Sequence, residues 1–299
     1  METRKSLERR MDATEDLQSV VKTMKALAAV SIRQYERASE ALDEYSKTTE
    51  MALQVVVASV TSMRVLARPA PGKRAGAVVY GSDQGMCGQL NDQVVSHALA
   101  ELDKREVSRS NRTFLAVGMR AASRLEQADE AVSGTLTVPG SAPAITAAVQ
   151  EILGTVQQWQ ESEDLDHIWL FHSRPVAGAS FRPETVRLLP LDEDWLRGLR
   201  GREWPGSSLP QFSADWDTLF SSLVRQYLFV SLFRAFANSL ASEHASRLAS
   251  MQAAEKNIEE RLQELKSGYH QRRQMEITSE LLDIVSGFEA LTEGKGAAG

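Results

Sequence analysis

Proline and glycine are missing where a chain of this size normally carries them. No proline lies outside the interval Pro69 to Pro210, and no glycine precedes Gly72. Proline costs about 3 kcal/mol and glycine about 1 kcal/mol inside a helix, so the absence of proline from both flanks, and of glycine from the first, permits two uninterrupted helices flanking a looped middle. Cysteine is nearly absent too. Cys87 stands alone, which excludes an internal disulfide and fits a reducing compartment. The five histidines are scattered at 97, 167, 172, 244 and 270, and only His167 and His172 are close, so no metal site is expected. Positive charge is not in excess. The formal net charge is -6, which gives no global basic field for nucleic acid. Long apolar runs are lacking as well: Leu228 to Phe233 stops at Arg234, so no direct transmembrane segment is expected. The opening Met1-Glu2-Thr3-Arg4-Lys5-Ser6-Leu7-Glu8 has no signal-peptide core and carries acids that transit peptides avoid. A soluble chain at a cytoplasmic location is expected, with any membrane role exercised through partners.

What is present divides into three parts. The breaks are sharp at Arg68-Pro69-Ala70-Pro71-Gly72 and at Pro205-Gly206-Ser207-Ser208-Leu209-Pro210. They set an N-terminal helix over 1–68, an α/β domain over 69–210 and a C-terminal helix with a protruding tip over 211–299. The first flank carries an apolar track: Leu7, Met11, Thr14, Leu17, Val21, Met24, Ala28, Ile32, Tyr35, Ala38, Leu42, Tyr45, Thr49, Leu53, Val56, Val60 and Met63. Its mean step is about 3.5 residues, the period of a left-handed coiled coil. The last flank carries a matching track from Leu219 through Leu240 and Met251 to Tyr269. It falters at Arg272-Arg273-Gln274 and resumes at Ile277, Leu281, Ile284, Val285 and Phe288.

Length decides what these seams face. At 1.5 Å per residue the helices would run about 85 and about 115 Å, whereas the middle makes a domain only about 30 Å across. The helices must bury each other, antiparallel. Placing Met63 near Phe212 puts Leu7 opposite about residue 269, which leaves a lone tip of about 30 Å. The middle alternates strands (75–80, 113–117, 167–172, 185–189) with helices (90–102, 144–159), the pattern of a Rossmann-like α/β domain with a mostly parallel sheet.

Two motifs could carry chemistry. Gly81 to Asn91 joins a strand to a helix and is glycine-rich, and such a loop can cradle phosphate. Its spacing is neither that of a P-loop nor that of a dinucleotide fingerprint, and no lysine follows. A tight structural turn is the stronger reading, with Ser82, Asp83, Gly85, Cys87, Gly88, Leu90 and Asn91 as its loop motif and no cofactor. Ser242-Glu243-His244 points in three directions on a helix and cannot form a triad among themselves.

Three stretches resemble one family. Ser242-Glu243-His244-Ala245, with Tyr269 through Gln274 to Gly287, resembles the C-terminal helix of F-type ATP synthase gamma subunits. Ser82-Asp83-Gln84-Gly85-Met86-Cys87-Gly88-Gln89-Leu90-Asn91 is similar to that family's Ser-Asp-Arg-Gly-Leu-Cys-Gly-x-Leu-Asn. Val21 to Ala29 is similar to its Ile-Thr-Lys-Ala-Met-x-Met-Val-Ala-Ala. Gln84 in place of arginine, Ser31 to Tyr35 in place of a more basic stretch, and the overall acidity mark a divergent member, and the expected lack of a transit peptide favours a bacterial type. No paired-cysteine insertion of the chloroplast kind is present.

The resemblance implies a non-catalytic rotor shaft at the cytoplasmic face of a bacterial inner membrane. Its partners would be the alpha, beta and epsilon subunits and the membrane ring of c subunits. It implies that Arg273 and Gln274 hydrogen-bond a beta subunit, with weaker contacts from Thr278, Glu280 and Asp283, and that Met24 lies on the paired seam near a beta subunit. A coiled-coil scaffold and an enzyme built on the 82–91 loop are the competing classes. The scaffold predicts self-association and has no use for a lone tip. The enzyme needs convergent acids, bases or a phosphate-gripping lysine, which the loop lacks.

Overall fold

The computed structural model describes residues 3–59, 74–162, 165, 167–176, 180–208 and 210–296, the side chains of 162 and 287–296 excepted. Val60, Met63, residues 68–72 and Leu209 fall outside this set, as do the side chains of Gly287 and Phe288. In chain order the elements are α1 (Arg4–Ala58), β1 (Ala75–Tyr80), α2 (Leu90–Lys104), β2 (Arg112–Val117), α3 (Met119–Gln127), β3 (Val132–Leu136), α4 (Ala142–Ser162), β4 (His167–Val176), β5 (Ser180–Leu189), α5 (Glu193–Gly201) and α6 (Trp216–Gly296). The chain forms two compact units, Leu27–Ser250 and Met1–Ala26 with Met251–Gly299.

The larger unit is built on a five-stranded sheet in the order β3-β2-β1-β4-β5. Strands β1 to β4 pair in parallel, and β5 runs antiparallel to β4. Every residue of β1 is buried, as a strand covered on both faces requires. On one face Ala77, Val79 and Phe114 meet Val94, Ala98 and Leu102 of α2 and Leu125 of α3. On the other, Val78, Leu115 and Leu170 meet two helices: α4, through Ile145, Val149, Ile152 and Trp159, and α6, through Leu228, Leu232, Phe236 and Leu240. Gly76 makes room for the Trp159 ring, since a Cβ there would stand 2.6 Å from it. The strands and helices expected within the middle are all present, several of them longer, while the C-terminal helix starts at Trp216 and not at 211. The short α3, β3 and α5 were not expected; α5 opens with Asp192 accepting hydrogen bonds from the Asp194 and Trp195 amides.

Within this unit α1 packs on α6. Tyr35 stacks on His244 at 5.6 Å between centroids, and Asp43 pairs with Arg234 at 3.0 Å. Leu53, Val56 and Val57 bury against Leu223 of α6 and Leu196 and Leu199 of α5. Helix α6 is enclosed almost all round from Ala235 to Arg247, because it meets the sheet on one side and α1 on another.

In the smaller unit Val21, Met251, Ile258 and Leu262 form a buried core, with Met24 and Ala254 partly buried against it. Three ion pairs fix the antiparallel register: Arg4 with Glu276 at 3.6 Å, Glu15 with Lys266 at 3.3 Å, and Lys25 with Glu255. Leu7 then falls opposite about residue 273, one turn farther along α6 than the sequence-based alignment. Two members of the expected α1 seam are corrected. Leu17 is 53% and Tyr45 44% exposed. The helix keeps a strict seven-residue spacing through 11, 18, 25, 32, 39, 46 and 53. Its inward positions at 18 and 46 are polar, Gln18 and the buried Ser46. The apolar track stepped aside to the nearest hydrophobic neighbour at both places.

Candidate functional site

The loop after β1 closes on itself. The Ser82 amide donates to Asn91 Oδ1 at 2.9 Å, and Asn91 Nδ2 donates back to Ser82 Oγ at 2.9 Å. Ser82 Oγ donates to the Gln84 carbonyl at 2.8 Å, and the buried Cys87 Sγ sits 3.4 Å from that hydroxyl. Asp83 reaches outward and ties two further strand ends. Its carboxylate accepts from the Met119 amide at 2.9 Å, at the start of α3, and from the Val138 amide at 2.8 Å, just after β3. Gly118, at φ 98°, lets the backbone of β2 pass Ser82 so closely that a Cβ would sit 2.7 Å from the Ser82 carbonyl. Leu90 is buried as it opens α2. Gly85 has open space around it, its nearest neighbour being the Arg120 guanidinium at 3.6 Å from a built Cβ.

The loop is seated on α6. Ser246 Oγ donates to the Cys87 carbonyl at 2.6 Å. Gly88, at φ +57°, lies so near that a Cβ would stand 3.1 Å from Ser246 Oγ and 3.6 Å from Ser250 Oγ. Beside this seat Arg247 pairs with Glu243 at 2.6 Å, both buried. Burial raises the Glu243 carboxyl above its ordinary range, against the pull of Arg247. Burial and then Arg247 push His244 down to about 4, which keeps it neutral in its stack on Tyr35. A cavity of about 190 Å³ opens here, with Asp83, Gln84, Tyr35, Glu243, His244 and Arg247 in its wall. Two carboxylates face one guanidinium that is already paired, so the charge does not suit a phosphate. The amides of Ser82, Met119 and Val138 are taken by side chains of the protein itself, so this loop end is a joint between strands and helix.

The tip residues lie in the smaller unit, and so does Met24. Arg273, Gln274, Thr278, Glu280 and Asp283 are all exposed. Thr278 Oγ1 donates to the Gln274 carbonyl of its own helix at 2.9 Å. Met275, Ile277, Leu281, Leu282, Ile284 and Val285 expose 48–68% of their surface. A row this apolar and this exposed marks a contact surface. The structure therefore gathers the loop motif into one joint of the larger unit, while Met24 and the tip residues belong to the smaller one. Sequence reasoning missed Ser246 and the Glu243–Arg247 pair as parts of that joint. The available signal was their place between seam positions, on the helix face that the heptad track leaves unassigned.

A parallel-rich α/β sheet packed on a long C-terminal helix is the fold of a central-stalk subunit, and related solved structures bear this out. The sequence profile of the ATP synthase family matches residues 3–291. The ATP synthase gamma chain of Glaesserella parasuis is 27% identical over 288 residues, covering 96% of this chain and 99% of that one. The gamma chain of a Cyanothece species is 28% identical over 314 residues, covering 96% and 98%. A chain of the Euglena gracilis mitochondrial ATP synthase (OSCP/F1/c-ring) superposes with a TM-score of 0.66 at 19% identity, over 98% of this chain and 95% of that one. A chain from the central stalk and c-ring of the Tetrahymena thermophila mitochondrial enzyme gives 0.58 at 20% identity, over 79% and 99%. The chain belongs to the ATP synthase gamma-chain family, and its role is that of the family, the rotor shaft. Among the described residues no helix is long and apolar enough to cross a membrane.

Proposed function

We propose that this chain is the non-catalytic central shaft of a bacterial F-type ATP synthase, carrying torque between a membrane c-ring and an alpha/beta catalytic hexamer. The supporting observation is α6. It is one unbroken helix of 81 residues, buried against the sheet in the larger unit and bare at Leu281 to Val285 in the smaller one. The buried stretch would anchor the shaft in its domain, and the bare apolar end suits a snug, non-bonding bearing inside a ring of partners. Arg273 and Gln274, both exposed on that helix end, would hydrogen-bond a beta subunit, with Thr278, Glu280 and Asp283 following at helical spacing. Met24, half-buried beside the Lys25–Glu255 pair, would meet a beta subunit from the other helix. The 69–210 domain, with an epsilon subunit, would stand on the c-ring at the cytoplasmic face of the membrane.

The chain performs no chemistry on ATP in this reading, because the loop's polar groups are spent on the protein's own backbone. Equilibrium dialysis of the isolated chain against ATP checks this. No binding is expected at millimolar nucleotide, whereas tight binding that disappears in Asp83→Ala would make the loop a nucleotide site.

A further inference from the structure

A shaft must resist being turned against the domain that drives it. Leu228, Leu232, Phe236 and Leu240 bury against the sheet and hold α6 there by close packing, but apolar contact is non-directional and does not by itself single out one angular setting of the helix. Directional bonds do. Among the described residues, α6 makes two side-chain hydrogen bonds to the backbone of the α/β domain from one face. Ser239 Oγ accepts from the Ser173 amide of β4 at 3.4 Å, and Ser246 Oγ donates to the Cys87 carbonyl at 2.6 Å. The two serines are seven residues apart, two helical turns, so they point the same way. Their partners lie on separate elements, a strand and the loop after β1. All four residues are nearly fully buried: Ser239 at 5%, Ser246 at 7%, Ser173 at 0% and Cys87 at 2% exposure. Gly88 sits so near the helix that even a Cβ there would crowd Ser246, 3.1 Å from its Oγ.

We infer that Ser239 and Ser246 are positioning residues that pin the rotational register of the shaft in the α/β domain, so that torque passes between them without slip. This rests on the rotor-shaft reading. A purely structural role, satisfying two buried backbone groups, would alter stability and assembly but not the work obtained per ATP.

The test uses the whole complex in membrane vesicles, with ATP hydrolysis and ATP-driven charging of the membrane measured together by a voltage-sensitive dye. Ser239→Ala with Ser246→Ala removes both pins without adding bulk. Ser246→Leu wedges the Gly88 seat apart. In assembled complexes we expect hydrolysis within about twofold of wild type and charging per ATP reduced by about threefold or more, as two lost hydrogen bonds allow. The wedge should give the larger loss. Unchanged charging per ATP in the double alanine variant overturns the inference, whatever happens to the wedge. If the wild-type complex itself hydrolyses ATP without charging, the shaft reading fails and the inference with it.

Discussion

Replacing Arg273 and Gln274 together with alanine is expected to slow steady-state ATP hydrolysis by the assembled complex about tenfold, the rate equivalent of about 1.4 kcal/mol. Both side chains are exposed in the free chain, so they hold nothing of their own fold in place. An arginine can grip a carboxylate with two parallel hydrogen bonds, which supplies direction as well as strength. Shielded from water in a ring of partners, such a contact contributes about 1.5–3 kcal/mol. It would form in one rotary position and break in the others, so it shapes the torque profile and leaves the chemistry intact. Helicity and assembly should be unchanged. Turnover at the wild-type rate would remove the catch, while a loss of helicity would make the pair structural.

The second large effect is on the fold. Gly118→Ala should destabilise the α/β domain by about 3 kcal/mol, combining backbone strain with overpacking. The position holds φ 98°, and its Cβ would lie 2.7 Å from the Ser82 carbonyl and 2.8 Å from the Ser82 nitrogen. Nothing at that contact is a flexible side chain that could step aside. The displaced loop would lose the Asp83 bonds to Met119 and Val138 as well. Thermal unfolding should show it as a fall in midpoint of about 10 °C for a domain of this size. A midpoint within a degree or two of wild type would mean that β2 and the loop are free to separate.

Much of this architecture is legible in the sequence because proline is an unambiguous punctuator. Its confinement to the middle permits two long helices, which the heptad tracks then call for, and the apolar run Ala75 to Tyr80 reads directly as the buried central strand that it is. The elements that went unread are short and obey other forces. β3 holds Ser133 and Gly134 and is alternately exposed, so it carries almost no hydrophobic signal; its pairing with β2 defines it. α5 is nine residues long and is set by the Asp192 cap and by Leu196 and Leu199 meeting α1. The seam of α1 shows the limit most clearly. Its seven-residue spacing is strict, yet Gln18, Lys25, Ser39 and Ser46 occupy inward positions, so hydrophobicity alone drifts to Leu17 and Tyr45. Lys25 is inward because Glu255 answers it, a fact that one helix read by itself does not contain. The loop motif was legible as a turn. Its seat on Ser246 was not, because a serine within a helix gives no sign of what it touches across 159 residues of sequence.

Rotation is the central claim, and it can be watched. Cys87, the single cysteine of this chain, is buried, so in a complex whose other subunits are freed of cysteine a cysteine introduced at the exposed Ser110 accepts a gold bead. With the beta subunits fixed to a surface and ATP supplied, the account predicts continuous turning of the bead in one direction, pausing at three positions per revolution. A bead that stays still, or only jitters about one orientation, while the same molecules hydrolyse ATP would contradict it.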